Sequence, residues 1–127
     1  MDIKPGINHI EFWVSDLARS VAFYRPLFAS IGWHQRSETE FSSGSSVVYF
    51  IEKPVGRVDG VGPRHLCFHA TSRAVVEAVA SLVLASSGTI VRGPVEMPEY
   101  SRGYYTVDVR DPDGYVIEVA HTPHAEF

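Results

Sequence analysis

The stretch "NHIEFWV", Asn8 to Val14, decides how the chain is read. It has the character of a β-strand, yet it holds a histidine and a glutamate two residues apart. Alternation puts His9, Glu11 and Trp13 on one face and Ile10, Phe12 and Val14 on the other. The second set makes an ordinary apolar core face. The first set makes a polar face, and a polar face on a strand meets either water or a ligand.

The pattern returns later in the chain. "GPRHLCFHATSRAVVEAVA", from Gly62, follows the order of "GINHIEFWVSDLARSVAFY", from Gly6, at an offset of 56. His9 falls on His65, Phe12 on Phe68, Asp16 on Ser72 and Gly32 on Gly88. Each copy opens with a strand, over 7–14 and 64–70. Each then has an oxygen-bearing helix cap, Asp16 or Ser72. Helices are expected from Leu17 to Ser30 and from Arg73 to Ser86. Pro26 should kink or restart the first, because it donates no backbone hydrogen bond. Gly32 and Gly88 should end the helices in left-handed turns. Short strands follow, at 33–38, 39–42 and 47–52, then at 89–93, 104–110 and 115–121. "SSGSS" and "DPDG" are turns before each last strand. "YFIEK" aligns with "YVIEV", which pairs Glu52 with Glu118 at an offset of 66. The extra length sits in "PVEMPEYSRG", read as a lid or anion grip over a pocket in preference to a surface turn with aromatic edges. "KPVGRVDGVGP" is a glycine- and proline-rich linker.

The chain is therefore read as one domain of two βαβββ repeats, at about 6–53 and 62–121. The fold class is α+β: a curved, partly open mixed sheet barrel with helices outside. A unit this small buries its sheet face poorly alone, so the two must pack together.

Composition narrows the function. The chain has 127 residues, is 45% hydrophobic and has a net charge of −4. Its eleven basic residues form no run, which argues against nucleic acid or an anionic membrane as partner. No apolar stretch reaches membrane-spanning length. The opening "MDIKPGINHI" has no signal-peptide pattern, and one cysteine allows no internal disulfide. A cytoplasmic protein is expected.

Four residues stand at repeat-related positions: His9 with His65, and Glu52 with Glu118. Two imidazoles and one or two carboxylates converging on a trough suit one divalent ion of nickel, zinc, iron, manganese or cobalt. Calcium prefers oxygen ligands alone. Glu52 lies at a strand end beside Lys53, and Phe50 is the alternative pocket residue there. Glu11, Trp13, Cys67 and His69 share the inward faces of the first strands and are expected to line the pocket. Arg102 and Tyr104 come from the long loop. Arg57, Arg64, Arg92 and Arg102 are possible anion contacts. Cys67 has no basic neighbour in sequence to activate it. His34, His121 and His124 are read as surface residues. No phosphate loop, dinucleotide motif or Ser-His-Asp pattern is present.

With "HIEFWVSDLARSVAFY", "RHLCF" and "DPDGYVIEV" in place, the chain resembles the vicinal oxygen chelate superfamily over about Ile7 to His121. That group includes glyoxalase I, bleomycin-binding proteins and extradiol dioxygenases. In glyoxalase I-like members the resemblance implies four metal ligands: His9, Glu52, His65 and Glu118. In three-ligand members it implies His9, His65 and Glu118. It implies a lyase or isomerase that works through an enediolate, with Glu118 or Glu52 as the base. The alternatives are a metal-free binding protein of the bleomycin-resistance type and an iron-dependent dioxygenase. It also implies a homodimer in which His9 and Glu52 of one chain meet His65 and Glu118 of another.

Overall fold

The computed structural model describes residues 5–56 and 62–127. Arg57 and the middle of the linker lie outside these residues. The elements run β1 (His9–Val14), α1 (Leu17–Ser30), β2 (His34–Ser37), β3 (Glu40–Ser42), β4 (Val47–Glu52), β5 (Leu66–His69), α2 (Arg73–Leu84), β6 (Thr89–Glu96), β7 (Tyr105–Arg110) and β8 (Val116–His121). They form two four-stranded sheets, ordered β1-β4-β3-β2 and β5-β8-β7-β6. The first and last strands of each half pair in parallel, and the other neighbours pair antiparallel. The fold is α+β, with mixed sheets that do not close. No helix among the described residues is long and apolar enough to cross a membrane.

Local chemistry explains the elements. The Asp16 carboxylate accepts from Arg19 N at 3.0 Å, and Ser72 Oγ accepts from Val75 N at 3.3 Å. These caps fix both helix starts. The first helix continues from Leu17 to Ser30 with Pro26 inside it, so Pro26 does not restart it. Ser30 Oγ donates to the Pro26 carbonyl at 2.9 Å. The second helix stops at Leu84, two residues early, with Ala85 as its cap. Gly32 takes the left-handed turn expected, with φ of 88°. Gly88 does not, and its smallness has another cause. A Cβ there would overlap the Phe23 ring and stand 2.7 Å from the Arg110 carbonyl. Strand β6 also passes its expected end. A bulge at Gly93, with φ of 89°, lets pairing resume at Val95 and Glu96.

Both halves fill one core. Phe68 packs edge-on against Phe28 and Trp33, each at 5.5 Å between ring centroids. Phe12 meets Tyr115 at 5.0 Å. The alternation read in "HIEFWV" holds: Phe12 and Val14 are buried, whereas His9, Glu11 and Trp13 are exposed.

The "DPDG" turn joins the halves. Asp111 is buried, and its Oδ1 accepts from the backbone N–H groups of Asp113, Gly114 and Tyr115 at 2.9–3.0 Å. Its Oδ2 accepts from the Tyr24 hydroxyl of α1 at 2.6 Å. Asp113 in turn accepts from the backbone and hydroxyl of Ser15 and lies 3.4 Å from the Arg19 guanidinium. Burial pushes the Asp111 carboxyl above its ordinary range, against the pull of these hydrogen bonds. Tyr24→Phe should therefore lower stability by about 1–3 kcal/mol, because it leaves a buried acceptor without its donor. Urea unfolding measures this, and an unchanged midpoint would contradict it.

Candidate functional site

Register decides which residues share a face. Glu11 stands opposite Tyr49 in the β1–β4 pair, and Cys67 stands opposite Glu118 in the β5–β8 pair. Glu11 and Cys67 are repeat equivalents, so Tyr49 is the counterpart of Glu118, at an offset of 69. The sequence alignment of "YFIEK" with "YVIEV" is off by three residues. An odd slip moves a strand residue to the opposite face.

Glu52 accordingly lies on the helix-side face, together with Phe50. Phe50 is 2% exposed and belongs to the core, not to a pocket. Glu52 Oε1 accepts from Leu17 N at 3.2 Å, at the start of α1. A carboxylate there offsets the free amides and the positive end of the helix dipole. Glu52 pairs with Val14, whereas His9 pairs with Val47 five residues away, roughly 16 Å along the strand. Glu52 is therefore not beside His9.

The open face of the first sheet carries His9, Glu11, Trp13 and Tyr49. The Trp13 indole donates to Glu11 Oε2 at 2.6 Å, and the Tyr49 hydroxyl donates to Oε1 at 2.9 Å. The Trp13 hydrogen bond, then that of Tyr49, holds the Glu11 carboxyl below its ordinary range. Trp13 is 50% exposed. The His9 ring lies 5.6 Å from that of Tyr49, and its Nδ1 is 2.8 Å from Asn8 Oδ1. Donation from Nδ1 to that oxygen leaves Nε2 with a free lone pair.

The second sheet holds the denser cluster. Glu118 is 3% exposed. Its Oε2 accepts from the Tyr104 hydroxyl at 2.9 Å. Its Oε1 lies 4.0 Å from His65 Nε2 and 3.9 Å from Arg92 Nη2. Arg92 also contacts Asp108 Oδ2 at 3.1 Å. Asp108 faces Glu118 across the β7–β8 pair. Burial, then the Glu118 charge, raises its carboxyl, and Arg92 opposes the shift. Arg92 Nε and Asp108 Oδ1 are buried without a partner among the described residues. Packing around its sulfur, then Glu118, pushes the Cys67 thiol up to about 12, which disfavours the thiolate.

Other expected site residues sit elsewhere. Arg102 lies 3.3 Å from the His124 ring, and the exposed His69 packs edge-on against Phe127. The expected lid is the turn of the β6–β7 hairpin, closed by Met97 N donating to the Tyr104 carbonyl at 2.9 Å. Asp108 was missed in the sequence. Its signal was a charged residue in "TVDVR", a strand buried from Tyr105 to Val109.

The donor types suit a first-row metal, an imidazole beside a carboxylate. Within the chain, no three His, Cys, Asp or Glu side chains among the described residues come together as a metal-binding group. His65 and Glu118 supply two of the donors that such a site would need. Arg64 Nη1 lies 2.9 Å from His65 Nδ1. Arginine only donates, so Nδ1 accepts and Nε2 of the neutral ring bears the proton. Metal uptake at Nε2 requires Arg64 to let go.

The residues and fold carry a family identity. The chain belongs to the Glyoxalase/Bleomycin resistance protein/Dioxygenase superfamily, whose model matches residues 6–119. It is similar to the virulence protein STM3117 of Salmonella typhimurium, 25% identical over 124 residues that cover 93% of this chain and 85% of that protein. A glyoxalase/bleomycin resistance protein from Albidiferax ferrireducens is 26% identical, with a TM-score of 0.71, covering 92% of this chain and 98% of its own. Lactoylglutathione lyase from Agrobacterium tumefaciens shares the fold at 24% identity and a TM-score of 0.62, covering 94% and 95% of the two chains.

Arg64→Gln should strengthen zinc binding by about fivefold to tenfold, since it frees His65 Nδ1 and removes a nearby positive charge. Competition against a chromogenic chelator reads this directly. Unchanged affinity would mean that Arg64 does not hold the ring.

Proposed function

We propose that this protein is a metal-dependent enzyme acting on a small substrate with two neighbouring oxygens. Two copies would complete each site: His65 and Glu118 from one, His9 from the other. The observation that carries this reading is His65 Nε2 at 4.0 Å from the buried Glu118, with the repeat-equivalent His9 exposed on the first sheet. Among the described residues neither half gathers three metal-binding side chains, and together the halves offer two imidazoles and a carboxylate.

A divalent ion held by these residues would polarise the two substrate oxygens and acidify the adjoining C–H bond. Glu118 would take that proton on Oε1, because Tyr104 already occupies Oε2. Arg92, next to both Asp108 and Glu118, offsets the repulsion of two buried carboxylates. Tyr104 fixes the direction of the Glu118 carboxylate. Glu11 is held ionised beside His9 and would meet the substrate from the opposite side. The outcome is an isomerase or lyase reaction in a cytoplasmic homodimer.

The donor count favours a second reading. Tyr49 stands where a fourth ligand would be, and two histidines with one carboxylate match the facial triad of iron oxygenases. Oxygen consumption specific to iron would support that chemistry, and turnover with zinc or nickel in anaerobic buffer would exclude it.

Elemental analysis tests the common premise. The purified protein should contain a first-row metal, and His9→Ala and His65→Ala should each lose it while keeping a cooperative melt. A wild-type protein that holds no metal after zinc, nickel or iron is supplied would leave a binding protein as the reading. A screen of dicarbonyl–thiol adducts then searches for the substrate.

A further inference from the structure

A cleft of about 750 Å³ lies between β1 and the β5–β8 side of the second half. Ile10 and Phe12 line it from β1, and Leu66 and Ile117 line it from β5 and β8. Phe12 and Ile117 are buried, while Ile10 and Leu66 remain half-buried. Those four belong to the helix-side faces, whereas Glu11, His65 and Arg110, which also line the cleft, belong to the open faces, so the cleft borders the candidate metal site. His65 is among the residues that line the cleft. Its size falls within the roughly 300–1,000 Å³ of small-molecule sites, which are mostly apolar with a few placed polar groups.

The charges around it are uneven. Arg64 and Arg110 both line the cleft and are both exposed. Arg64 contacts His65 Nδ1, and Arg110 donates to the Gly114 carbonyl at 3.0 Å. A guanidinium has five N–H donors, so each keeps several free. The carboxylate at the cleft is Glu11, and both its oxygens already accept from Trp13 and Tyr49. An apolar wall with two cations and one engaged anion favours a ligand with an apolar body and a negative head. An amine would face two arginines.

We propose that this cleft binds a small amphipathic acid, with its chain or ring against Ile10, Phe12, Leu66 and Ile117 and its carboxylate paired to Arg64 and Arg110. Such a site adds a second ligand beside the candidate metal site, to which Arg64 links it through His65. Isothermal titration of the full chain with octanoate, octylamine and octanol tests it. Octanoate should bind saturably and at least about tenfold more tightly than octylamine. Arg64→Gln with Arg110→Gln should weaken octanoate by about tenfold and erase the preference for the acid. His9→Ala lies outside the cleft and should bind octanoate like the wild type even where zinc binding is lost. Equal affinity for octylamine, no saturable octanoate binding, or an unaffected double variant would each overturn the proposal. Loss of octanoate binding in His9→Ala would move the ligand to the metal site and also overturn it.

Discussion

Asp111 is a buried carboxylate that ties together two sheets with no strand pair between them among the described residues. A buried charge is tolerated only where donors surround it. Here three backbone amides of its own turn take one oxygen, and Tyr24 of the other half takes the second. The turn is thereby shaped and docked in one step. Tyr115, at its end, donates to the Trp13 carbonyl at 3.0 Å, so β1 is anchored from the same place. Every site residue on β1 and β8 inherits its position from this joint.

The two halves then diverge in chemistry on a shared frame. In the second half, β8 turns Glu118 toward His65, and Arg92 and Asp108 close around it. In the first, the equivalent position is Tyr49, and the acidic group comes instead from Glu11 on β1. The carboxylate at the end of β4 is taken up by the α1 N-terminus. A symmetric four-ligand site is thus replaced by an asymmetric arrangement. One half is rich in buried charge, and the other presents exposed aromatic rings and an ionised glutamate.

Most of the architecture was legible in the sequence, because it rests on local signals. Alternation at His9–Val14, oxygen caps at Asp16 and Ser72, and the Gly32 turn after the first helix mark the elements without knowledge of tertiary contacts. The placement of Glu52 was not legible. Similar letters in "YFIEK" and "YVIEV" suggested equivalence, but register depends on which residues hydrogen-bond across strands. Gly88 and Asp108 escaped for a related reason. The first is small because Phe23 and the Arg110 carbonyl approach it, and the second joins the Glu118 cluster only through its cross-strand pairing. Both are facts about contact rather than sequence.

The central claim is that each metal site is shared between two copies of the chain. Mixing His9→Ala chains with Glu118→Ala chains, after each has been shown to bind no zinc alone, tests it most directly. In a shared arrangement, the mixed dimer pairs an intact His9 with an intact His65 and Glu118. Zinc binding should then return in proportion to the mixed species, with one site intact per mixed dimer. If no mixture of the two variants recovers zinc, the sites lie within single chains or do not exist, and the account is contradicted.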